Sequence, residues 1–361
     1  HYPLRRQRQM CIRDRMKPWI IAGVSCLCAG TICCGAAVCA GALDQNRYRE
    51  NLHLIDQTDT PSEAFTSVLM DVDNAEVTVQ NGSKFSITAE NVPQNSYHVA
   101  VEDDTLQIQL NSDSEPWYSY THFGFHPFHA PAAKITVTLP AEYRAVAIAN
   151  HAGDCTISGI HVSTLSVDLD YGDCQVKNVT AANLTADNDA GDLLLSDSIV
   201  SGTASLELDY GDLTVKQTEI GNLCKVKNDA GDVRLTDVSC GSSEMELDYG
   251  SLKLQRFTET DQAQFSAFTI FDGDVHCETS TLWNSSFDLE FGDFSTIDTA
   301  LYGKNTIAMD YGDVQLNLHG KNSDYNVGYS YAAGSLNDSS RNQILISGDK
   351  TVVDATVTFT E

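Results

Sequence analysis

From residue 141 onward, apolar and polar positions alternate with a period of two, and the alternation is interrupted at regular intervals by Gly-Asp. The glycines are Gly153, Gly172, Gly191, Gly211, Gly231, Gly273, Gly292 and Gly312, with Gly250-Ser251 filling one gap. Their spacings are 19, 19, 20, 20, 19, 23, 19 and 20 residues. Two positions after each glycine stand Cys155, Cys174, Leu193, Leu213, Val233, Leu252, Val275, Phe294 and Val314. Five positions before it stand Ile148, Val167, Ala186, Leu206, Val226, Met245, Phe268, Phe287 and Ile307. Period-two alternation on both sides of a glycine predicts strand, bend and strand in every copy. One such copy cannot bury its apolar face alone, whereas stacked copies share a continuous core. The expectation is an all-β chain, a β-solenoid or parallel β-helix of 19–20-residue Gly-Asp repeats.

A second order lies inside the first. An Asn form (Asn150, Asn188, Asn228) alternates with a Leu-Asp-Tyr-Gly form (Leu169/Tyr171, Leu208/Tyr210, Leu247/Tyr249), which later copies keep as Leu289/Phe291 and Met309/Tyr311. Either each rung holds about 20 residues and the forms alternate, or one turn holds both and the period is 38–40. Residues 66–140 carry alternating strand patterns without Gly-Asp and predict an N-terminal β cap and first turns. Residues 141–319 are the array, and 320–361 predict a C-terminal β cap.

The N-terminal region follows other rules. Residues 18–43 carry no charge and are long enough to span a bilayer, which needs about 20 residues. With Lys17 before it, the segment 16–43 reads as an uncleaved signal-anchor transmembrane helix, N-terminus inside. Ala40-Gly41-Ala42 also fits a signal-peptidase site, and either reading exports the rest. Residues 44–65 read as a linker. Residues 10–15, MCIRDR, back-translate to a sequence resembling a transposon end used in sequencing libraries. Residues 1–15 therefore read as adapter read-through ahead of Met16, the alternative being a basic tail.

Charge narrows the partners. The 361 residues hold 22 Lys+Arg and 50 Asp+Glu, a net charge of −28. Six of the bases and one acid lie in residues 1–43, so the remainder carries −33. That balance argues against nucleic acid, which needs a basic footprint, and favours cations or basic partners.

The run TVTLPAEY, the alternation of IxNxAGDxxI with LDYGDxxV and the opening strand SVLMDVDNAEVTVQ resemble the bacterial putative-adhesin domain family of Gly-Asp β-strand-repeat proteins of unknown function. The resemblance covers about residues 66–361. It implies an extracytoplasmic β-solenoid, often membrane-anchored and associated with envelope stress. It implies no enzyme activity.

Four groups of residues carry candidate chemistry. Asp154, Asp173, Asp192, Asp212, Asp232, Asp274, Asp293 and Asp313 follow the glycines, with Asp170, Asp189, Asp209, Asp229, Asp248 and Asp310 two positions before them. Asp beside a bend glycine caps free backbone N–H groups. Carboxylates one strand apart also repel, and calcium would relieve that, so a calcium ladder is the second reading. Catalysis by a carboxylate pair is the third, weakened because a motif in every copy marks structure, while an active site occurs once. The loop 112–131 departs from the family pattern. Within it, Trp117, Tyr118, Tyr120, Phe123, Phe125 and Phe128 interleave with His122, His126 and His129. They cover the solenoid's open end, stack on sugar or a membrane interface, or bind zinc or copper. Tyr171, Tyr210, Tyr249 and Tyr311 form a structural ladder or a glycan-facing stripe. Cys155 and Cys174 occupy equivalent core positions and are buried thiols or, with 20-residue rungs, a possible disulfide.

The reading is a non-enzymatic, adhesin-like binding protein of the bacterial envelope that requires no cofactor, calcium being the one candidate. Its partners are the membrane through residues 18–43 and a cell-surface glycan or envelope protein. The alternatives are an envelope-stress accessory or sensor and a carbohydrate-active β-helix enzyme.

Overall fold

The computed structural model describes residues 26–27, 29–36, 39, 53–111, 132–140, 143–330, 341–348 and 353–360. Residues 26–27, 29–36 and 39 are helical. Among the described residues, no helix is long and apolar enough to cross a membrane. Part of the segment 16–43 and the whole loop 112–131 lie outside the described residues.

The described residues from Ile55 on form one compact unit, and it is a β-solenoid. Parallel in-register pairing fixes the rung. Cys155 lies beside Cys174, Cys174 beside Leu193 and Leu193 beside Leu213. One turn therefore holds one Gly-Asp copy of 19–20 residues, and the Asn and Tyr forms alternate up the stack. Asn150 sits on Leu169, Leu169 on Asn188 and Asn188 on Leu208. The buried amides are thus kept two rungs apart, with a leucine between them.

Each rung has three sides. The long side is a strand such as His161–Leu169, followed by the Gly-Asp bend and a four-residue strand such as Cys174–Lys177. A second corner leads to a short third side such as Ile199–Val200. That second corner falls six residues after the bend glycine, where the backbone is left-handed. Gly159, Asn178, Asp197, Gln217, Asp237, Arg256, Thr279 and Asp298 have φ between 48° and 68°. Gly, Asn and Asp tolerate this region, while Gln217, Arg256 and Thr279 accept a cost of roughly 1–2 kcal/mol for it. The next residue turns inward. Where it is Ser198, Thr218, Ser280 or Thr299, its hydroxyl donates to the carbonyl two residues earlier, at Ser196, Lys216, Glu278 or Ile297. The polar side chains there seal the corner's own backbone.

The core is a set of columns parallel to the axis. One runs Ile108, Met70, Ile148, Val167, Ala186, Leu206, Val226, Met245, Phe268, Phe287, Ile307 and Ile346, each within 3% of full burial. Consecutive members are about 4.8 Å apart, close enough for neighbouring side chains to touch. Phe268 and Phe287 stack at 4.4 Å between ring centroids.

At both ends the chain departs from sequence order. Ser67–Val72 and Glu76–Asn81 pair directly with the rung at 143–158, while Thr105–Leu110 and Lys134–Leu139 lie outside them. The outermost strands turn antiparallel, Tyr97–Glu102 on Thr105–Leu110 and Ser86–Pro93 on Lys134–Leu139. At the other end, Tyr325–Ser330 lies outside Asn342–Gly348, which pairs with the rung at 304–319. Both ends thus close the parallel stack with strands that return from another part of the chain, which guards an otherwise open edge. Leu54–Asp59, within the segment read as a linker, is also a strand.

Candidate functional site

The Gly-Asp bends line up as one edge of the solenoid. The glycines there are required twice over. Their φ values lie between 118° and 150° at Gly153, Gly172, Gly191, Gly211, Gly231, Gly250, Gly292 and Gly312. Gly153 also lies against the Ala75 carbonyl and each of the others against the backbone carbonyl of the glycine one rung before, so a Cβ on Gly211 would collide with the Gly191 carbonyl.

Beside this tower runs the carboxylate ladder. The Asp154 carboxylate accepts the Asp173 backbone N–H at 3.0 Å, and Asp173 accepts that of Asp192 at 3.0 Å. Asp192 and Asp212 do the same for Asp212 and Asp232, both at 2.9 Å. Asp274 and Asp293 continue it to Asp293 and Asp313, both at 2.8 Å. Ser251 takes its place in the series, donating its N–H to Asp232 at 3.0 Å and accepting that of Asp274 on its hydroxyl at 3.4 Å. The side chain at this position serves as an oxygen acceptor for the next rung, whether it is aspartate or serine. Among the described residues, no group of three or more His, Cys, Asp or Glu side chains could hold a metal ion.

Inside the bend the buried amides of Asn150, Asn188 and Asn228 donate to glycine carbonyls. Asn228 reaches Gly211 at 3.1 Å and Gly231 at 3.2 Å, and Asn188 reaches Gly172 at 3.1 Å. The Asn form therefore ties adjacent bends together from within, a task the leucines of the Tyr form cannot perform.

On the outside of the edge, the tyrosines divide into two regimes. Tyr171, Tyr210 and Tyr249 are separated by Ala190 and Ala230 in the intervening rungs. From Tyr249 the spacing closes. Tyr249, Phe271, Phe291 and Tyr311 occupy four successive rungs, with ring centroids 6.0, 6.1 and 5.1 Å apart. All four are 40–57% exposed. Phe271 replaces the aspartate that other copies carry two positions before the glycine, so the tyrosine position alone does not reveal its place in this ladder.

Cys155 and Cys174 are register partners in adjacent rungs, both buried as free thiols. The Cys174 sulfur beside it and burial push the Cys155 thiol well up. Burial pushes the Cys224 thiol up to about 12. The loop residues Trp117, Tyr118, Tyr120, His122, Phe123, Phe125, His126, Phe128 and His129 lie outside the described residues.

One buried acid was not visible in the repeat pattern. Glu259, 1% exposed, points into the core from the short side. One carboxyl oxygen accepts the Trp283 backbone N–H at 2.7 Å and the Ser285 hydroxyl at 3.3 Å. Burial raises its pKa, against the opposing pull of these hydrogen bonds. Sealed in the core, it can hold a proton but cannot reach a substrate.

Fold and edge together define a parallel β-solenoid whose repeated bend is a hydrogen-bonded glycine-aspartate ladder. The chain belongs to the family described as Toastrack DUF4097, which matches residues 65–223 and 184–345. No curated protein matches it. Among solved structures it is similar to a putative adhesin from Parabacteroides distasonis, at 11% identity over 84% of this chain and 97% of that one, with a TM-score of 0.37. A putative adhesin from Bacteroides fragilis matches at 12% identity over 85% and 97%, with a TM-score of 0.28. A putative lipid binding protein from Parabacteroides distasonis matches at 11% identity over 85% and 97%, with a TM-score of 0.28.

Proposed function

We propose that this chain is a non-enzymatic binding module of the bacterial envelope, held to a membrane through residues 18–43 and binding a surface glycan along the second half of its Gly-Asp edge. The exposed ladder of Tyr249, Phe271, Phe291 and Tyr311 carries the reading. Aromatic side chains left in water on a rigid scaffold form a ready contact surface, since their faces take up C–H groups with little ordering cost. The ladder runs roughly 14 Å along the axis, three strand spacings. Acids flank it at Asp248, Glu290 and Asp310, and these can accept hydrogen bonds from sugar hydroxyls.

The test is a glycan and cell-wall binding screen with the chain lacking residues 1–43, alongside the triple variant Phe271→Ala, Phe291→Ala, Tyr311→Ala. The expected result is binding by the parent and loss by the variant at an unchanged melting temperature. Equal binding by both would remove the edge from the proposal. Membrane attachment is read separately, by whether the full chain fractionates with membranes and the truncated chain does not.

A further inference from the structure

Among the described residues, one strand at the N-terminal end of the stack keeps an open side. Tyr97–Glu102 runs antiparallel to Thr105–Leu110, joined to it by the two-residue turn Asp103-Asp104, whose φ values are 47° and 64°. Asn111 donates its N–H to the Ser96 carbonyl at 3.1 Å, and Leu110 turns its own carbonyl the other way, to the Asp73 N–H at 2.9 Å. Backbone groups alternate sides along an antiparallel strand, so His98, Ala100 and Glu102 are the residues bonded to Thr105–Leu110. Tyr97, Val99 and Val101 therefore turn their N–H and C=O groups outward. Among the described residues, no strand pairs with Val99 or Val101 on that side.

A cavity of about 450 Å³ follows this open side. Val99, Ala100 and Val101 line it together, and three consecutive residues present a strand's edge, because a strand's face would offer every second one. Residues 59–63 form the far wall, held to the strand by the Tyr97 hydroxyl, which donates to Asp59 at 3.0 Å. The side chains of Val99 and Val101 are half-buried against the core, while His98, Ala100 and Glu102 are exposed on the opposite face. Glu63 stands in the cavity wall, and Glu102, Asp103 and Asp104 follow where the strand ends. Glu102 accepts the Gln107 amide at 3.3 Å and Asp104 the Thr66 hydroxyl at 2.6 Å, and neither bond brings a positive charge. Among the described residues, none of these four acids pairs with a lysine or arginine. Together they repel a second copy of the same strand and attract a basic one.

We infer that this strand takes up, along its open side, an extended segment of a partner protein in which apolar residues alternate with lysine or arginine. Strand addition satisfies the outward N–H and C=O groups of Val99 and Val101. The partner's apolar residues lie beside Val99 and Val101 and complete their burial. Its basic residues fall on the exposed face, beside Ala100 and Glu102. The carboxylates that keep this strand from pairing with its own kind thus select its partner. The surface uses none of the residues of the Gly-Asp edge, so the glycan reading and this one can fail separately.

The experiment is fluorescence anisotropy of labelled acetyl-Lys-Val-Lys-Val-Lys-amide, titrated with the full chain in non-ionic detergent micelles, with empty micelles as the blank. Saturable binding is expected, weakening several-fold as salt is raised. The same peptide with glutamate in place of lysine should bind at least about tenfold more weakly. So should the lysine peptide N-methylated throughout, which keeps its charge and loses its strand donors. Val101→Pro removes an outward N–H without touching a bond to Thr105–Leu110, and should lose most of the binding at an unchanged melting temperature. Glu63→Gln combined with Asp103→Asn should weaken binding about tenfold. Absence of saturation would overturn the proposal, as would equal binding of the glutamate or the methylated peptide. A chain that dimerises in sedimentation, with Val101→Pro dissolving the dimer, would give the strand to a second copy and overturn it as well. Should Val101→Pro fail to fold, the methylated peptide decides alone.

Discussion

The Gly-Asp edge and the corner at 261–265 are built from the same chain by opposite means. At the edge, one solution recurs in every rung: a glycine whose backbone touches the glycine below and an acceptor side chain that holds the N–H above. At the corner, one rung carries extra residues, and the next two adapt to them through Asn284, Gly303 and Lys304. Repetition makes the edge stiff, because each bend is braced by the one before it. Singularity makes the corner depend on a few side chains, with Asn284 holding the carbonyls of Gln262 and Gln264. Substitutions should therefore cost more stability at the edge than at the corner.

The largest effect is expected from Gly211→Ala. The new Cβ meets a backbone carbonyl that cannot move without its whole rung, at a φ of 150° that L-residues avoid. Strain of this kind costs about 1–3 kcal/mol before the collision is counted, so the loss should exceed about 3 kcal/mol in urea unfolding. Gly303→Ala meets only the Asn284 side chain and should cost less than half as much. If the two cost the same, backbone contact is not what distinguishes edge from corner.

The buried acid gives a pH-dependent test. The Glu259 carboxyl is raised in the folded state above its ordinary value of 4.5. Between 4.5 and that higher value, the folded chain keeps a proton that the unfolded chain has released. Stability from this group is present at low pH and declines as pH rises through the window. His151 is raised above 6.5 by its hydrogen bond to Asp170 and nearby acids, so its contribution is present below 6.5 and fades as pH rises through its folded value. Glu259→Gln should flatten the fall from the first window and raise the melting temperature at neutral pH. A variant less stable than the parent at pH 7 would mean that the ionised carboxylate, not the protonated acid, is what the core requires.

Much of this architecture was legible beforehand, and the reason is physical. Alternation at positions such as Val167 and Val176 reports which side chains face inward, and the regular glycines report where every rung bends. The 20-residue rung could not be read, because alternating Asn150, Leu169, Asn188 and Leu208 fits both possible periods. Register settles it: Asn228 needs the glycine carbonyls of its own and the preceding rung, and a leucine neighbour leaves it room. The second corner is hard to read in sequence because its signal, five Gly, Asn or Asp residues at one position, is diluted by Gln217, Arg256 and Thr279. The aspartate ladder was anticipated as turn capping within a bend. It is capping between bends, which spacing alone does not reveal. The enlarged corner shows only as an odd spacing of 23.

Thiol reactivity should separate core from surface more gently. Cys155, Cys174, Cys224, Cys240 and Cys277 are buried, and burial lifts the thiols of Cys224, Cys240 and Cys277 away from the reactive thiolate. None should react with a soluble disulfide reagent until the solenoid unfolds. Labelling of Cys155 or Cys174 in the native chain would show that the stack opens at its first rungs.

The smallest effects are expected where the two readings of the aspartates part. As acceptors, each contributes one charge-assisted hydrogen bond to the next rung. Asp192→Ala should then cost about 0.5–2 kcal/mol, as loss of a helix cap does, and Asp192→Ser should cost little. Ser251 already performs that exchange naturally, accepting the Asp274 N–H in the middle of the ladder. As calcium ligands, Asp154, Asp173, Asp192, Asp212, Asp232, Asp274, Asp293 and Asp313 would instead gain from millimolar calcium, and serine would lose that gain. Carboxylates one strand apart repel by about 1 kcal/mol in water, and the N–H each one accepts offsets part of it. Thermal melts in EDTA and in millimolar calcium should therefore share one midpoint. A calcium-dependent rise that Asp192→Ser abolishes would make the edge a cation ladder, and charge, not geometry, the reason aspartate stands there.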